Sequence, residues 1–169
     1  VKTKEISIEK LRKDVLSKLT PYFGNLKEDV TEENVQSRLR GLLLMALSNK
    51  KQSLLVTTGN KSELAVGYST LYGDMCGGFS LLKDVYKTKV FELCEWRNQN
   101  ILKDFRVKKF NVIPNEIITK EPTAELKFNQ TDKDSLPAYN ILDEILELLI
   151  DEKRELKFIA KKGYSINLV

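Results

Sequence analysis

Residues 53–63 read Ser-Leu-Leu-Val-Thr-Thr-Gly-Asn-Lys-Ser-Glu, and this stretch decides the fold. Its apolar start is short and uninterrupted, which is typical of a fully buried strand in a parallel sheet. The chain then turns through Gly59 and enters a helix from about Lys61, whose first amides are able to meet an anion. Because ligands of parallel α/β sheets lie at the carboxyl ends of the strands, we expect a site directly after Val56.

The segments before this stretch show the same alternation of strand and helix. Residues 2–8 alternate charged with apolar or small side chains, which predicts a strand. Residues 9–22 carry apolar side chains at every fourth position, which predicts a helix that Gly24 ends. Thr31 is the expected N-cap of a second helix. The predicted buried stripe of that second helix consists of Val35, Leu39, Leu42, Leu43 and Ala46.

The segments after this stretch are mainly loop and helix. In chain order they are a glycine-rich loop, a helix and an irregular polar stretch, at residues 69–83, 87–100 and 103–134. Pro137 is expected at the first position of a helix that runs through Leu148, and a further helix is expected near Glu152. The order strand, helix, helix, strand, helix indicates an α/β fold with a parallel sheet wrapped by helices.

The composition excludes several classes of function. The 28 basic and 24 acidic residues are mixed along the chain, without the dense basic stripe of a nucleic-acid-binding protein. No apolar run is long enough to span a bilayer, and residues 1–10 are not expected to form a signal peptide. Cys76 and Cys94 have neither metal-site spacing nor a disulfide framework, which favours a reducing cytoplasm. Histidine is absent, so chemistry that needs an imidazole is excluded.

Two pairs of polar residues are candidates for ligand contacts. Asn34 and Arg38 lie four apart on one helical face, and an amide beside a guanidinium suits a carboxylate, ribose or phosphate. A solvated helix flank explains this pair too, and taken alone it is the favoured interpretation. Thr58 offers a hydroxyl, and Glu63 offers an oxygen ligand for Mg²⁺. Asn60 and Glu63 also have the spacing of a capping box, which needs no ligand, so spacing alone leaves the two interpretations even.

Three further segments contain weaker candidates. Tyr68 or Tyr72 in the glycine-rich loop could stack on a flat ring, although a plain surface loop is the favoured interpretation. Lys87 lies at a helix start, where the dipole prefers anions, and this conflict hints at a phosphate partner. A lone lysine is usually just solvated, however. Thr123 belongs to a Pro-Thr-Ala segment that by itself indicates only a turn.

Taken in order, these segments resemble the NAD⁺ synthetases. The similarity is carried by Glu33-Asn34-x-Gln36-x-Arg38-x-Arg40-Gly41, Thr57-Thr58-Gly59-Asn60-Lys61-Ser62-Glu63, Gly67-Tyr68-Ser69-Thr70-Leu71-Tyr72-Gly73-Asp74 and Lys83-Asp84-Val85-Tyr86-Lys87-Thr88. It continues through Pro122-Thr123-Ala124-Glu125-Leu126 and Asp132-Lys133-Asp134-Ser135-Leu136-Pro137-x-Tyr139. The resemblance covers roughly residues 30–145 and points to the branch that carries a glutaminase domain ahead of the synthetase.

The resemblance implies a fold and a reaction. The fold is a doubly wound parallel sheet of the adenine-nucleotide α-hydrolase, or N-type ATP pyrophosphatase, type. The nicotinate carboxylate of deamido-NAD⁺ would attack the α-phosphorus of ATP, giving an adenylate and pyrophosphate. Ammonia would then displace AMP to form the amide of NAD⁺. This chemistry needs positioning and charge neutralisation more than a general base, which is consistent with the absence of histidine.

The resemblance also implies roles for single residues and partners. ATP contacts are expected at Thr58, Lys87 and Thr123. Contacts to deamido-NAD⁺ are expected at Asn34, Arg38, Glu63 and Tyr68. Lys87 is the expected catalytic group, because it would neutralise charge on the triphosphate, and Glu63 is the expected Mg²⁺ ligand. The expected assembly is a cytoplasmic homodimer, and the expected nitrogen donor is ammonia, either free or supplied by a glutaminase domain outside this chain.

One family motif is not found in the sequence. The Ser-Gly-Gly-x-Asp-Ser loop, which grips pyrophosphate on the first strand of the family's sheet, does not occur here. We therefore expect a partial synthetase domain, inactive by itself, with lead-in residues 1–30, motif-bearing residues 31–126 and a C-terminal loop and helices at 127–169. The alternatives are another amidating or thiolating ATP pyrophosphatase of the same fold, or a non-catalytic dinucleotide-binding or dimer-forming module.

Overall fold

The computed structural model of this chain describes residues 3–169, which form two compact units. The first unit contains the residues up to Gly59 together with Tyr68–Leu81 and Glu125–Asn129. The second unit contains Asn60–Gly67, Leu82–Ala124 and Gln130–Val169.

The first unit holds a helical pair and a small parallel sheet. Helix α1 (Glu9–Phe23) packs against helix α2 (Val30–Lys51). Strand β1 (Val56–Thr57) pairs in parallel with strand β2 (Phe79–Ser80), with Val56 opposite Phe79. Two parallel strands need a crossover connection rather than a tight turn. The predicted α/β class is thereby confirmed.

The second unit is helical in the residues that the structure describes. Its helices are α3 (Lys61–Ala65), α4 (Lys87–Gln99), α5 (Asn115–Thr119), α6 (Tyr139–Leu146) and α7 (Leu156–Lys161). A π turn (Glu147–Asp151) continues α6. The buried hydrophobic cluster of this unit consists of Ile145, Leu148 and Ile159. Within residues 3–169, no helix is both long enough and apolar enough to cross a membrane.

Helix α2 begins two residues earlier than predicted. Asp29, not Thr31, is the N-cap, because its carboxylate accepts from the Thr31 N–H at 2.7 Å while Glu32 accepts from the Asp29 N–H at 2.8 Å. This capping box satisfies two of the free amides at the helix start. The predicted buried stripe is wrong at Leu42, which is 63% exposed, and at Ala46; the buried positions of α2 are Ser37, Leu39 and Gly41.

The strand predictions are the least accurate. Residues 3–8 have no regular structure and Ile6 is half exposed; Lys2, the first residue of that predicted strand, lies outside the described residues. The strand predicted as buried at 53–56 is reduced to β1, and Leu54 is 68% exposed. In the part of the chain that the structure describes, β1 has a single neighbouring strand, so much of its surface is not covered.

The helix predictions hold better than the strand predictions. Helices α1, α3 and α4 lie where the sequence predicts them. The predicted helix at Pro137 begins two residues later, because Ala138, with φ −55° and ψ 137°, is not yet helical. The helix expected near Glu152 begins at Leu156, since Glu152 still belongs to the end of the π turn.

Candidate functional site

A partly buried ion pair in the second unit joins two of the predicted site residues. The Nζ atom of Lys87 lies 2.8 Å from Oε1 of Glu63, and the two side chains are about one-fifth exposed. Glu63 lies in the first turn of α3, and Lys87 is the first residue of α4. The structure therefore brings together a carboxylate and an ammonium group that stand 24 residues apart in the sequence.

Local structure fixes the carboxylate of this pair. The Asn60 side chain accepts from the Glu63 N–H at 3.1 Å, and Oε2 of Glu63 accepts from the Asn60 N–H at 3.2 Å. The capping box predicted from spacing is thus present. The Lys61 N–H donates to the Val85 carbonyl at 2.9 Å, which ties the start of α3 to the segment that leads into α4.

An aromatic ring lies beside the lysine of the pair. The Lys87 Nζ atom is 5.3 Å from the centroid of the Tyr139 ring, a distance at which a cation and a π system attract. The Tyr139 hydroxyl donates to Oδ2 of Asp132 at 2.7 Å, and Asp132 is buried. Sequence reasoning assigned no role to these two residues. The signal was available, because both stand in the Asp132–Tyr139 segment that carries part of the resemblance.

Thr123, the third predicted ATP contact, is half-buried in the same unit. It follows Pro122, whose carbonyl accepts from the Asp132 N–H at 2.9 Å. Pro122 lines a cavity of about 280 Å³. The other lining residues are Phe91, Glu121, Asp132, Lys133, Pro137, Ala138, Tyr139 and Asn140.

In the first unit, the predicted substrate residues hold the segment 68–76, here called the tyrosine loop, against α2. The Thr70 hydroxyl donates to Oδ1 of Asn34 at 2.8 Å, and Nε of Arg38 donates to the Leu71 carbonyl at 3.2 Å. The Ser37 hydroxyl accepts from the Asp74 N–H at 3.0 Å. Asn34 and Arg38 thus act on the same loop, while the Arg38 side chain stays largely exposed.

The two remaining predicted residues also lie in the first unit. Tyr68 is half-buried at the start of the tyrosine loop. Thr58 is exposed and directly follows β1, so it stands at the carboxyl end of a parallel strand, where the sequence predicts a ligand site.

The residues available for a metal ion are few. Between residues 3 and 169, no group of three or more His, Cys, Asp or Glu side chains is arranged to hold one. Both oxygens of Glu63 already accept hydrogen bonds, one from Lys87 and one from the Asn60 backbone. A metal ion at Glu63 would therefore need oxygen ligands in addition to this carboxylate.

Comparison with known proteins decides which family these features belong to. The sequence profile of the NAD synthase family matches residues 1–169. The chain belongs to the NAD synthase family. It is 49% identical over 169 residues to a glutamine-dependent NAD(+) synthetase of Xylella fastidiosa, covering all of this chain and 30% of that relative. The chain thus spans about 30% of the length of the curated relatives it matches.

Two solved structures superpose on most of this chain. A glutamine-dependent NAD⁺ synthetase from Acinetobacter baumannii, in complex with ADP, superposes with a TM-score of 0.61 at 46% identity, over 95% of this chain and 27% of that one. The NMN synthetase from Francisella tularensis superposes with a TM-score of 0.69 at 27% identity, over 84% of this chain and 52% of that one. The fold is therefore the adenine-nucleotide α-hydrolase type that the resemblance implies.

Proposed function

We propose that the protein containing this chain makes NAD⁺ by ATP-dependent amidation of deamido-NAD⁺. Within a member of the NAD synthase family, the observation that carries the proposal is the Glu63–Lys87 pair, because it places one carboxylate and one ammonium group within 2.8 Å. Such a pair suits a reaction in which negative charge develops on the pyrophosphate that leaves ATP, because the ammonium group can stabilise that charge. The proposal concerns the whole protein, of which this chain supplies part of the synthetase domain.

Lys87 is the proposed catalytic residue. The substrate carboxylate attacks the α-phosphorus of ATP, the bond from that phosphorus to the pyrophosphate oxygen breaks, and negative charge accumulates on the departing pyrophosphate. An ammonium group held beside the phosphates stabilises this charge more in the transition state than in the ground state. In the second step ammonia attacks the acyl carbon of the adenylate, the bond from that carbon to the AMP phosphate oxygen breaks, AMP leaves and one proton passes to solvent.

Glu63 is the proposed Mg²⁺ ligand. The ion supplies charge neutralisation on the phosphates of ATP. One carboxylate combined with phosphate oxygens is a common way to hold Mg²⁺, so a single acidic residue from this chain fits that role. Glu63 would hold the ion through its carboxylate, and Lys87, 2.8 Å from Oε1 of Glu63, would provide a second positive charge beside the phosphates.

The remaining predicted residues are proposed as ligand contacts. Thr58 and Thr123 would contact ATP through their hydroxyls. Asn34, Arg38 and Tyr68 would contact deamido-NAD⁺. The support for Asn34 and Arg38 is that both fix the tyrosine loop on α2, so a substrate resting there would meet a preformed surface.

The proposed partners follow from the family and from exposed features of the chain. Ammonia would come from solution or from a glutaminase domain outside this chain. A homodimer is supported by three exposed leucines on α2: Leu42, Leu44 and Leu47. A cytoplasmic location is supported by Cys76 and Cys94, which are both free thiols.

The test is a reaction of the complete protein with deamido-NAD⁺, ammonia and Mg²⁺-ATP. We expect NAD⁺, AMP and pyrophosphate in equal amounts. Lys87→Met, which keeps most of the unbranched side chain and removes its charge, should lower kcat/KM by roughly 100-fold or more. Lys89→Met removes the exposed lysine two residues further along α4 and is the matched control, with kcat/KM expected near the wild-type value.

A second substrate is favoured by one comparison, the superposition on an NMN synthetase. The same assay with nicotinate mononucleotide in place of deamido-NAD⁺ separates the two substrates by their kcat/KM values. If pyrophosphate were released with another carboxylic acid, but not with deamido-NAD⁺ or nicotinate mononucleotide, the result would instead support a different amidating ligase of this fold. No pyrophosphate release with any acid would support a non-catalytic binding module.

A further inference from the structure

Asp143 on α6 is a buried carboxylate that the proposed reaction does not use. It is 5% exposed, and both of its oxygens accept hydrogen bonds. Oδ1 accepts from the Ser62 hydroxyl at 2.5 Å, and Oδ2 accepts from the Thr88 N–H at 2.9 Å. The Ser62 hydroxyl oxygen, which is fully buried, in turn accepts from the Lys87 N–H at 2.8 Å. These bonds join α3, α4 and α6 through one polar network.

This network caps helix α4. The first amides of a helix have no partner within the helix, and an N-cap side chain normally satisfies some of them. Tyr86, the N-cap of α4, makes no such bond, and the first turn of α4 carries no acidic residue. The Lys87 and Thr88 amides are satisfied instead by Ser62 and Asp143. Asp143 therefore supplies the negative charge that the start of α4 favours, although it comes from another helix.

The two bonded positions are next to the residues of the candidate site. Ser62 precedes Glu63 on α3, and Thr88 follows Lys87 on α4. A buried carboxylate is strongly held in place, because losing either of its hydrogen bonds leaves an uncompensated polar group in the interior. The network therefore fixes the backbone on both sides of the ion pair.

We propose that Asp143 is a positioning residue for the reaction: it holds Lys87 and Glu63 in register through the Ser62 hydroxyl and the amides of α4. This inference rests on the proposed function, since it concerns how the catalytic lysine is placed. Asp143 does not touch the ion pair itself in these contacts; it acts through the two helices. Displacement of a catalytic group by about 1 Å is enough to lower a rate by roughly 100-fold, so this restraint matters for turnover.

The first experiment measures steady-state kinetics of the complete protein carrying Asp143→Asn. The amide keeps the shape of the side chain but removes the charge and cannot accept from both partners through equivalent oxygens. We expect kcat to fall by about 10- to 100-fold, while KM for deamido-NAD⁺ changes by less than about twofold. Glu144→Gln removes a carboxylate from the exposed neighbouring position of α6 and should leave kcat unchanged.

The second experiment repeats Asp143→Asn in a Lys87→Met background. If Asp143 acts by placing Lys87, the substitution should cost little further activity once the ammonium group is gone. A general loss of folded structure would instead lower activity by the same factor in both backgrounds. The melting temperature of each variant is recorded in the assay buffer so that every rate refers to folded protein.

If Asp143→Asn does not yield folded protein, Ser62→Ala serves as the second variant. It removes the acceptor of the Lys87 N–H with almost no change in side-chain volume, and we expect the same loss of kcat and the same non-additivity with Lys87→Met. The inference would be overturned if Asp143→Asn and Ser62→Ala had the kcat of the wild type, or if they lost the same factor of activity in the wild-type and Lys87→Met backgrounds. The proposed function would not be affected by either result, provided that the wild-type protein forms NAD⁺. A wild-type protein that forms no NAD⁺ would overturn the proposed function and this inference together.

Discussion

At the scale of single residues, the two oxygens of Glu63 have different partners. Oε2 accepts from the Asn60 N–H and completes the capping box of α3, while Oε1 accepts from Lys87. A capping role and a site role are therefore compatible in one side chain, because a carboxylate offers several acceptor positions. The cap also fixes the side-chain rotamer, so Oε1 reaches Lys87 from a side chain that is already ordered.

A second ion pair near the start of α3 has a different character. Nζ of Lys61 donates to the Asp151 carboxylate at 2.5 and 2.7 Å and lies 4.3 Å from the centroid of the Tyr86 ring. The Tyr86 hydroxyl donates to Oδ2 of Asp151 at 2.8 Å. The hydrogen bond from Lys61, followed by that from Tyr86, lowers the pKa of Asp151 below its ordinary value of 3.8. The bond to Asp151 likewise raises the pKa of Lys61 above 10.5.

The prediction for this pair concerns stability against pH. A carboxylate whose pKa is lowered by folding adds stability above its unfolded pKa and loses it as the pH falls through its folded pKa. Asp151→Asn should therefore lower the melting temperature of the complete protein between about pH 5 and neutrality, and the difference from wild type should shrink below pH 3.8. Thermal melts across this pH range check it.

The control for this experiment is Glu155→Gln, which removes an exposed carboxylate four residues further along the chain. This variant should melt like the wild type at every pH. A melting difference for Asp151→Asn that stays constant down to the acid limit of the measurement would contradict the assigned role. Lost packing, rather than a charged hydrogen bond, would then explain the difference.

At the scale of elements, the tyrosine loop depends on a close approach to α2. A Cβ atom on Gly73 would lie 2.9 Å from Cβ of Ser37 and 3.0 Å from its backbone carbon, and it would collide with the Ser37 hydroxyl. That hydroxyl accepts from the Asp74 N–H, so the same contact holds the loop. On the helix side, a Cβ atom on Gly41 would lie 2.8 Å from the Gly73 carbonyl oxygen. Both glycines are needed because the loop backbone rests directly on the helix.

Gly73→Ala should therefore displace the tyrosine loop from α2. We expect deamido-NAD⁺ to bind the complete protein about tenfold more weakly, because an overpacked contact typically costs 1–3 kcal/mol. Titration calorimetry measures this. The matched control is Gly78→Ala, whose added Cβ would meet the Cδ1 methyl of the exposed Leu54, a group that is free to turn away. Equal affinity in Gly73→Ala and wild type would show that the loop does not form part of the substrate site.

Elements whose signals are local were predicted well. The Asn60–Glu63 box depends on residues within one helical turn, and it is present. The cap of α4 could not be predicted this way, because Asp143 stands 55 residues beyond Thr88. From the sequence alone the start of α4 therefore has no cap, and a lysine at that position indicates a phosphate partner. The structure shows that a carboxylate of the chain itself already occupies that end.

Strands were predicted less well, because a strand depends on its neighbours. The alternation at residues 2–8 matches a strand period, but residues 3–8 have no sheet partner within the described residues and remain irregular. Strand β2 is only two residues long and lies in a glycine-rich segment, which gave no periodic signal. A short strand is formed by pairing with β1, so nothing within its own two residues could have indicated it.

At the scale of the whole molecule, the predicted site residues are distributed over both compact units. Asn34, Arg38, Thr58 and Tyr68 belong to the first, and Glu63, Lys87 and Thr123 belong to the second. The proposed substrate contacts thus lie mainly in one unit and the proposed catalytic pair in the other. In the first unit Asn34 is held by a hydrogen bond from Thr70, and in the second unit Glu63 is held by one from Lys87, so these side chains are ordered by the chain itself.

The last prediction concerns the 169-residue chain purified alone. Its sequence lacks the Ser-Gly-Gly-x-Asp-Ser loop of the family, so we expect no NAD⁺ from deamido-NAD⁺, ammonia and Mg²⁺-ATP. We also expect it to associate, because a two-stranded sheet leaves strand edges open and the side chains along this one are exposed: Leu54, Val56, Phe79 and Leu81. Light scattering should detect oligomers, and replacing Leu54 and Phe79 by lysine should shift them toward monomer. A monodisperse wild-type monomer would show that these side chains do not drive association, and NAD⁺ formation would show that pyrophosphate can be expelled without that loop.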